Sequence, residues 1–178
     1  MSATHPLNVL KNCPRCGSAE FKVSGERSLK CEACGFHFFI NSAAAVAALV
    51  TDNNGKLMLV TRGVEPDYGK LDLPGGFIDP GETAENAVKR ELSEELGLTV
   101  KSLEYLGSAP NEYLFSGLIV FTLDMAFKVI PESIDGLIPM DDILNYYFYS
   151  EEELNYDNIP APSIKKFVKD FFKNERNK

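Results

Sequence analysis

From Gly76 to Leu98 the chain reads GFIDPGETAENAVKRELSEELGL, five glutamates and an arginine set between two framing glycines. Thr83 is a good helix cap and Gly97 a good left-handed stop, so the spacing predicts a helix between them. On that helix Glu91, Glu94 and Glu95 stand at i, i+3 and i+4, which crowds three carboxylates onto one face. Like charges about 4 Å apart cost on the order of 1 kcal/mol per pair in water and roughly 4 near a protein surface. A helix with nothing to bind spreads its acids, whereas one that holds hard cations gathers them. Oxygen-only ligands with open positions suit Mg²⁺ or Mn²⁺, ions that bridge to substrate phosphates. On the same helix Val88, Leu92 and Leu96 form the apolar side, Asn86 and Ser93 point to solvent, and Ala84 and Ala87 are expected on the acidic face.

The stretch resembles the Nudix hydrolase signature, G-x5-E-x7-R-E-U-x-E-E-x-G-U with U aliphatic. It matches at Gly76, Glu82, Arg90, Glu91, Leu92, Glu94, Glu95, Gly97 and Leu98. With average residue frequencies, chance gives such a match with a probability on the order of 10⁻⁷. The resemblance implies an α/β fold, the Nudix α/β/α sandwich with a mixed sheet. It implies hydrolysis of a diphosphate linkage with divalent metal. Mapped onto this chain, Glu91, Glu94 and Glu95 become metal ligands, with the Gly75 carbonyl completing a shell. Arg90 becomes the group that orients a box carboxylate, and Glu82 one that orders the loop or holds a water. The base is left open between Glu94 and a later acid: Glu112, Glu132, Asp135 or the Glu151–Glu153 run.

All four cysteines lie in the first 40 residues, as Cys13-Pro-Arg-Cys16-Gly and Cys31-Glu-Ala-Cys34-Gly, with 14 residues between the pairs. Two such knuckles can wrap a tetrahedral metal, and the spacing resembles a zinc ribbon, with iron a lesser occupant and two disulfides the rival arrangement. Four thiolates fill the site, which leaves His37 as a strand residue. About 40 residues bury too little surface to fold alone, and structural zinc worth roughly 10–16 kcal/mol makes up that deficit. Phe36, Phe38, Phe39 and Ile40 are expected to pack the ribbon against the rest. The domains are therefore read as a ribbon over 1–40 and a Nudix domain over 41–178.

Charge divides the same way: residues 1–40 carry a net +2 and residues 41–178 a net −10. The acidic larger part disfavours nucleic acid as a partner, while a bound cation still admits a nucleotide. No apolar run reaches the roughly 18 residues that span a bilayer, and the N-terminus has no secretory pattern, so the expected location is the cytoplasm. Strands are predicted at 43–50, 56–62, 71–73, 100–106, 118–129 and 146–149, and a last helix over 163–174 whose Ile164, Phe167, Val168, Phe171 and Phe172 share one face.

A four-cysteine ribbon before a Nudix domain resembles the NADH diphosphatase group, which includes enzymes that remove NAD caps from RNA. That group's SQPWPFPxS motif meets Ser108-Ala109-Pro110-Asn111-Glu112-Tyr113-Leu114-Phe115-Ser116 here, and the chain has no tryptophan. The segment Arg62–Asp79 looks closer to enzymes of ADP-ribose. An ADP-ribose-like substrate is therefore favoured, with NADH or NAD as the alternative and a non-catalytic nucleotide sensor as a third reading. Expected substrate contacts are Arg62, Gly75, Gly76, Asn111, Tyr113 and Phe115, the aromatics stacking on a base. The resemblance also allows a homodimer.

Overall fold

The computed structural model describes residues 2–176. The chain divides into two compact units, Met1–Ala43 with Glu112–Phe121, and Ala44–Asn111 with Thr122–Lys178. The ribbon thus annexes a ten-residue segment that lies, in sequence, deep in the later part of the chain.

In the first unit a one-turn helix α1 (Pro6–Val9) precedes three short strands, β1 (Phe21–Val23), β2 (Ser28–Cys31) and β3 (His37–Phe39). They pair antiparallel in the order β1-β2-β3. The core is small: Leu7, Cys13, Phe21, Leu29 and Cys31, with Leu10, Cys34, Phe36, Phe38 and Ile40 packed on it. Phe36, Phe38 and Ile40 thus contribute to the ribbon's own interior. Phe39 is exposed. His37 pairs its Nε2 with the Ser28 hydroxyl at 3.0 Å.

The second unit is built on β4 (Ala43–Val50), β5 (Leu57–Arg62), β6 (Leu71–Asp72), helix α2 (Ala84–Leu96), the long strands β7 (Val100–Phe115) and β8 (Leu118–Pro131), then β9 (Ile143–Tyr149) and helix α3 (Pro162–Arg176). Its sheets run β4-β8-β7 and β6-β5-β9. Strand alternation sorts side chains into two cores. Val46, Ala48 and Val50 of β4 and Met58 and Val60 of β5 join Val88, Leu92 and Leu96 of α2. Ala47, Leu49, Leu57 and Leu59 join Ile164, Phe167, Val168, Phe171 and Phe172 of α3. One helix covers each face, which is the α/β/α arrangement expected.

The strand expected over 100–106 runs on to Phe115, through Gly107 and Pro110. It lies at a sheet edge, where proline's missing N–H costs no ladder bond. Ser116 and Gly117 turn the chain with positive φ of 49° and 76°, the geometry that suits a two-residue hairpin. No helix among the described residues is long and apolar enough to cross a membrane.

Candidate active site

Helix α2 is fixed at both ends by local chemistry. Thr83 accepts a hydrogen bond from the Asn86 N–H, and Gly97 at φ 65° closes the helix through bonds to Leu92 and Ser93 carbonyls. The apolar side, Ala87 included, is buried. Ala87 has no exposed surface and packs in the core with Val88, one turn before Glu91.

The loop before the helix lies against β4 like a short extra strand. Ala48 N–H donates to the Pro74 carbonyl and Val46 N–H to the Gly76 carbonyl, both at 2.8 Å. Gly75, between them, has a φ of 142°, and a Cβ there would sit 2.2 Å from the Val46 carbonyl oxygen. Only glycine allows so close an approach. A Cβ on Gly76 would come within 2.6 Å of Glu91 Oε1, so the second glycine lets the helix carboxylate reach the loop.

The acids then arrange themselves by partner. Glu95 is 7% exposed and accepts the Gly75 N–H at 2.9 Å. Arg90 holds Glu82 in a two-pronged grip, Nε to Oε1 at 3.0 Å and Nη2 to Oε2 at 2.9 Å. Its Nη1 reaches Glu91 at 2.8 Å and Glu94 at 3.1 Å, and Nη2 also donates to the Phe77 carbonyl at 3.0 Å. Glu82 accepts the Asp79 N–H as well, at 3.1 Å. One guanidinium therefore ties loop to helix and sets the attitude of three carboxylates, work that suits a planar fork better than an ammonium.

One cation does not satisfy this much negative charge. Burial pushes the Glu95 carboxyl up to about 9, with the Gly75 N–H opposing and the charges of Glu91, Asp72 and Asp141 adding to the rise. Glu91 is raised too, by burial first, against the pull of Arg90 and with Glu94 and Asp141 contributing. Glu82 goes the other way, held down by its hydrogen bonds from Arg90. Raised carboxylates around hard oxygen ligands fit a divalent cation that the protein side chains alone do not replace. Glu91, Glu94 and Glu95 are the side chains that would hold it. Pro74 and Gly76 give their carbonyls to β4, which leaves the Gly75 carbonyl as the backbone candidate.

Two acids were not legible as site residues. Asp141 has a positive φ of 50° and follows Met140, whose N–H donates to the Glu95 carbonyl at 2.8 Å. Asp142 accepts from the Gly63 N–H at 2.6 Å, so this loop is fastened on both sides. Asp141's charge is felt at both Glu91 and Glu95. The available signal was an acidic pair just past Gly136 and Pro139. Asp72 is raised by burial despite its 2.9 Å bond from Arg62. Its signal was an acid alternating with leucines in a strand. Of the earlier base candidates, Glu151 pairs with Arg176 and Glu153 with Lys56, and Glu112 falls in the ribbon's unit.

The expected substrate contacts divide. Arg62 gives Nη1 to Asp72 and Nε to the Pro66 carbonyl. Asn111 lies in the same unit as the acidic helix and has a buried Oδ1 with no hydrogen-bond partner. Tyr113 and Phe115 belong to the ribbon's unit, their rings stacked 6.3 Å apart at 15°.

The four cysteines converge. Their sulfurs lie within 4.8 Å of one another, with Cys13–Cys34 and Cys16–Cys31 each at 3.7 Å. Tetrahedral zinc with bonds of about 2.3 Å separates sulfurs by about 3.8 Å, so the cluster fits the ion, and no disulfide joins them.

The NUDIX domain matches residues 41–171. The NAD-capped RNA hydrolase NudC of Pseudomonas syringae pv. tomato is 34% identical over 125 residues, 70% of this chain and 44% of that protein. The NudC of Deinococcus radiodurans is 31% identical over 64% of this chain and 41% of its own length. The chain thus spans less than half the length of these relatives. A NUDIX hydrolase from Nitrosomonas europaea superposes with a TM-score of 0.66 at 21% identity, over 94% of this chain and 93% of that one. The NUDIX domain of Shewanella oneidensis NrtR, complexed with ADP ribose, does so with 0.58 at 21% identity over 79% and 91%. At such identities the structural likeness speaks for the fold.

Proposed function

The chain belongs to the NUDIX domain family, and on that premise we propose that it hydrolyses the diphosphate of an ADP group joined to a second moiety. The observation that carries this reading is the Glu91–Glu95 pair, two raised carboxylates facing a glycine loop with a single arginine to balance them. When bound, Mg²⁺ or Mn²⁺ supplies positive charge against the phosphate oxygens and makes water a stronger acid. The protein's own part is to hold Glu95 against the Gly75 N–H and to keep Glu91 oriented through Arg90. A carboxylate outside that inner pair must accept a proton from the attacking water. Glu94, more exposed than Glu91 and Glu95, and Asp141, whose charge is felt at both of them, are the two candidates we take forward.

For the second moiety two readings stand. ADP-ribose is favoured by the Arg62–Asp79 segment and by the missing tryptophan. NAD or NADH is favoured by the NudC relatives, whose name extends the panel to an NAD-capped RNA. Asn111, with its unpartnered buried oxygen, is the side chain of this unit proposed to read the nucleotide. Arg62, Tyr113 and Phe115 remain proposed contacts from sequence. The test is a screen with Mg²⁺ or Mn²⁺ across ADP-ribose, NAD, NADH, NDP-sugars and NAD-capped RNA, with products identified. Release of AMP from an ADP-containing substrate supports the proposal; no cleavage across the panel overturns it.

A further inference from the structure

We propose that the metal of the four-cysteine ribbon controls the order of the hairpin tip Glu112–Phe121. The tip is the end of β7 and β8, whose stems belong to the other compact unit, yet the tip itself clusters with the ribbon. Its end is open: Leu114 and Phe115 are 49% and 56% exposed, while Tyr113 and Leu118–Phe121 are partly buried, and an isolated two-stranded hairpin is marginal in water. Part of what holds it is a clasp to the N-terminal segment. Ile119 N–H donates to the Thr4 carbonyl at 2.9 Å, and Phe121 meets His5 edge-on with ring centroids 5.5 Å apart.

The clasp in turn hangs on the metal cluster. His5 caps α1, accepting from the Leu7 N–H, and Leu7 is buried in the same small core as Cys13 and Cys31. Among the described residues that core has five buried side chains, two of them cysteines. Without an ion the four sulfurs have no reason to converge, α1 loses its seat, and the clasp on Ile119 and Phe121 goes with it. The ribbon thereby governs the strand ends that continue Asn111 and Thr122.

Hydrogen–deuterium exchange read by mass spectrometry on the full chain tests this. Zinc-loaded protein is compared with protein stripped by a chelator, neither holding magnesium or manganese. Amides of Glu112–Phe121 are expected to exchange at least about tenfold faster after stripping, while those of α2 and β5 keep their protection. Tip amides that stay protected while the ribbon's amides open would overturn the proposal, as would loss of protection throughout the chain. Phe121→Ala gives a second reading: zinc content stays at one per chain and tip exchange rises. Unchanged tip exchange in that variant would also overturn it.

Discussion

The two clusters of ligands in this chain answer the same problem in opposite ways. The four cysteines sit in a unit with a handful of buried apolar side chains, so they are part of what little core it has. The glutamates sit on a helix whose other side is buried among thirteen core residues, so the fold holds them together whether or not an ion is present. In the first case the ligands would complete the structure by closing on a cation; in the second the structure makes a place for one, at the cost of crowding like charges. The lesson is that a metal's role is read from how much core surrounds its ligands, not from the ligands alone.

The hardest test of that contrast is to remove one thiol. Cys31→Ala takes a fully buried ligand from the ribbon. Structural zinc contributes on the order of 10 kcal/mol, far more than the first unit can lose. Bound zinc should vanish, and limited proteolysis should cut within residues 2–43 while the α2-containing unit survives. A variant that keeps the ribbon resistant would mean its core suffices without metal.

Next in size is Glu95→Gln, which on the same contrast must cost activity and not fold. Gln keeps an oxygen for the Gly75 N–H and removes a charge that burial disfavours. Turnover should fall by several hundredfold, about 3–4 kcal/mol of barrier, while the melting temperature stays level or rises. A fall in melting temperature with activity retained would reverse the assignment.

Gly75→Ala probes the loop that the helix leans on. Its Cβ would press on the Val46 carbonyl, a backbone atom that cannot swing aside, at a φ that side chains rarely adopt. Stability should drop by about 2–4 kcal/mol in urea unfolding, with activity lost in proportion. Gly76→Ala meets only the movable end of Glu91, so it should spare stability and lower metal affinity instead.

The pH dependence follows from Glu95. Its carboxyl holds a proton more tightly in the folded chain than unfolded, rising from an ordinary 4.5 to about 9. The folded state therefore binds more protons across that window, and this group's contribution to stability is lost as pH rises through it. Glu82, shifted down, acts only in the acid range, where its contribution is lost as pH falls. Zinc-loaded protein freed of magnesium should melt lower at pH 9 than at pH 6, and added Mg²⁺ should narrow the gap. An equal melting temperature at both pH values, without magnesium, would show that Glu95 is not strained.

Much of this was legible in the sequence because it is local. A 3.6-residue period with a threonine cap and a glycine stop fixes α2 and the side on which Val88, Leu92 and Leu96 fall. The cysteine spacing likewise fixes the knuckles. What escaped is what depends on distant partners. Asp141's charge reaches Glu91 and Glu95 from a loop bonded to the end of α2 and to Gly63. The length of β7 hinges on its being an edge, which no single strand reveals. The tip's attachment to the ribbon joins residues 4 and 5 to 119 and 121, a pairing with no trace in spacing.

The smallest expected effect marks the limit of the electrostatic reading. Lys56 and Glu153 pair at 2.9 Å, with side chains 36% and 49% exposed, and Glu153 also accepts the Ser150 N–H. By distance this pair equals the bond from Arg90 to Glu82, yet the outcome should differ. Solvent screens the exposed pair, and two long side chains lose freedom to form it, so Lys56→Ala should cost under about 1 kcal/mol and leave turnover unchanged. Arg90→Ala leaves Glu82 and Glu91 half-buried without their counter-charge and should cost activity first, since the carboxylates lose their orientation. Urea unfolding and steady-state rates on the two variants, side by side, decide whether burial or mere proximity sets an ion pair's worth here.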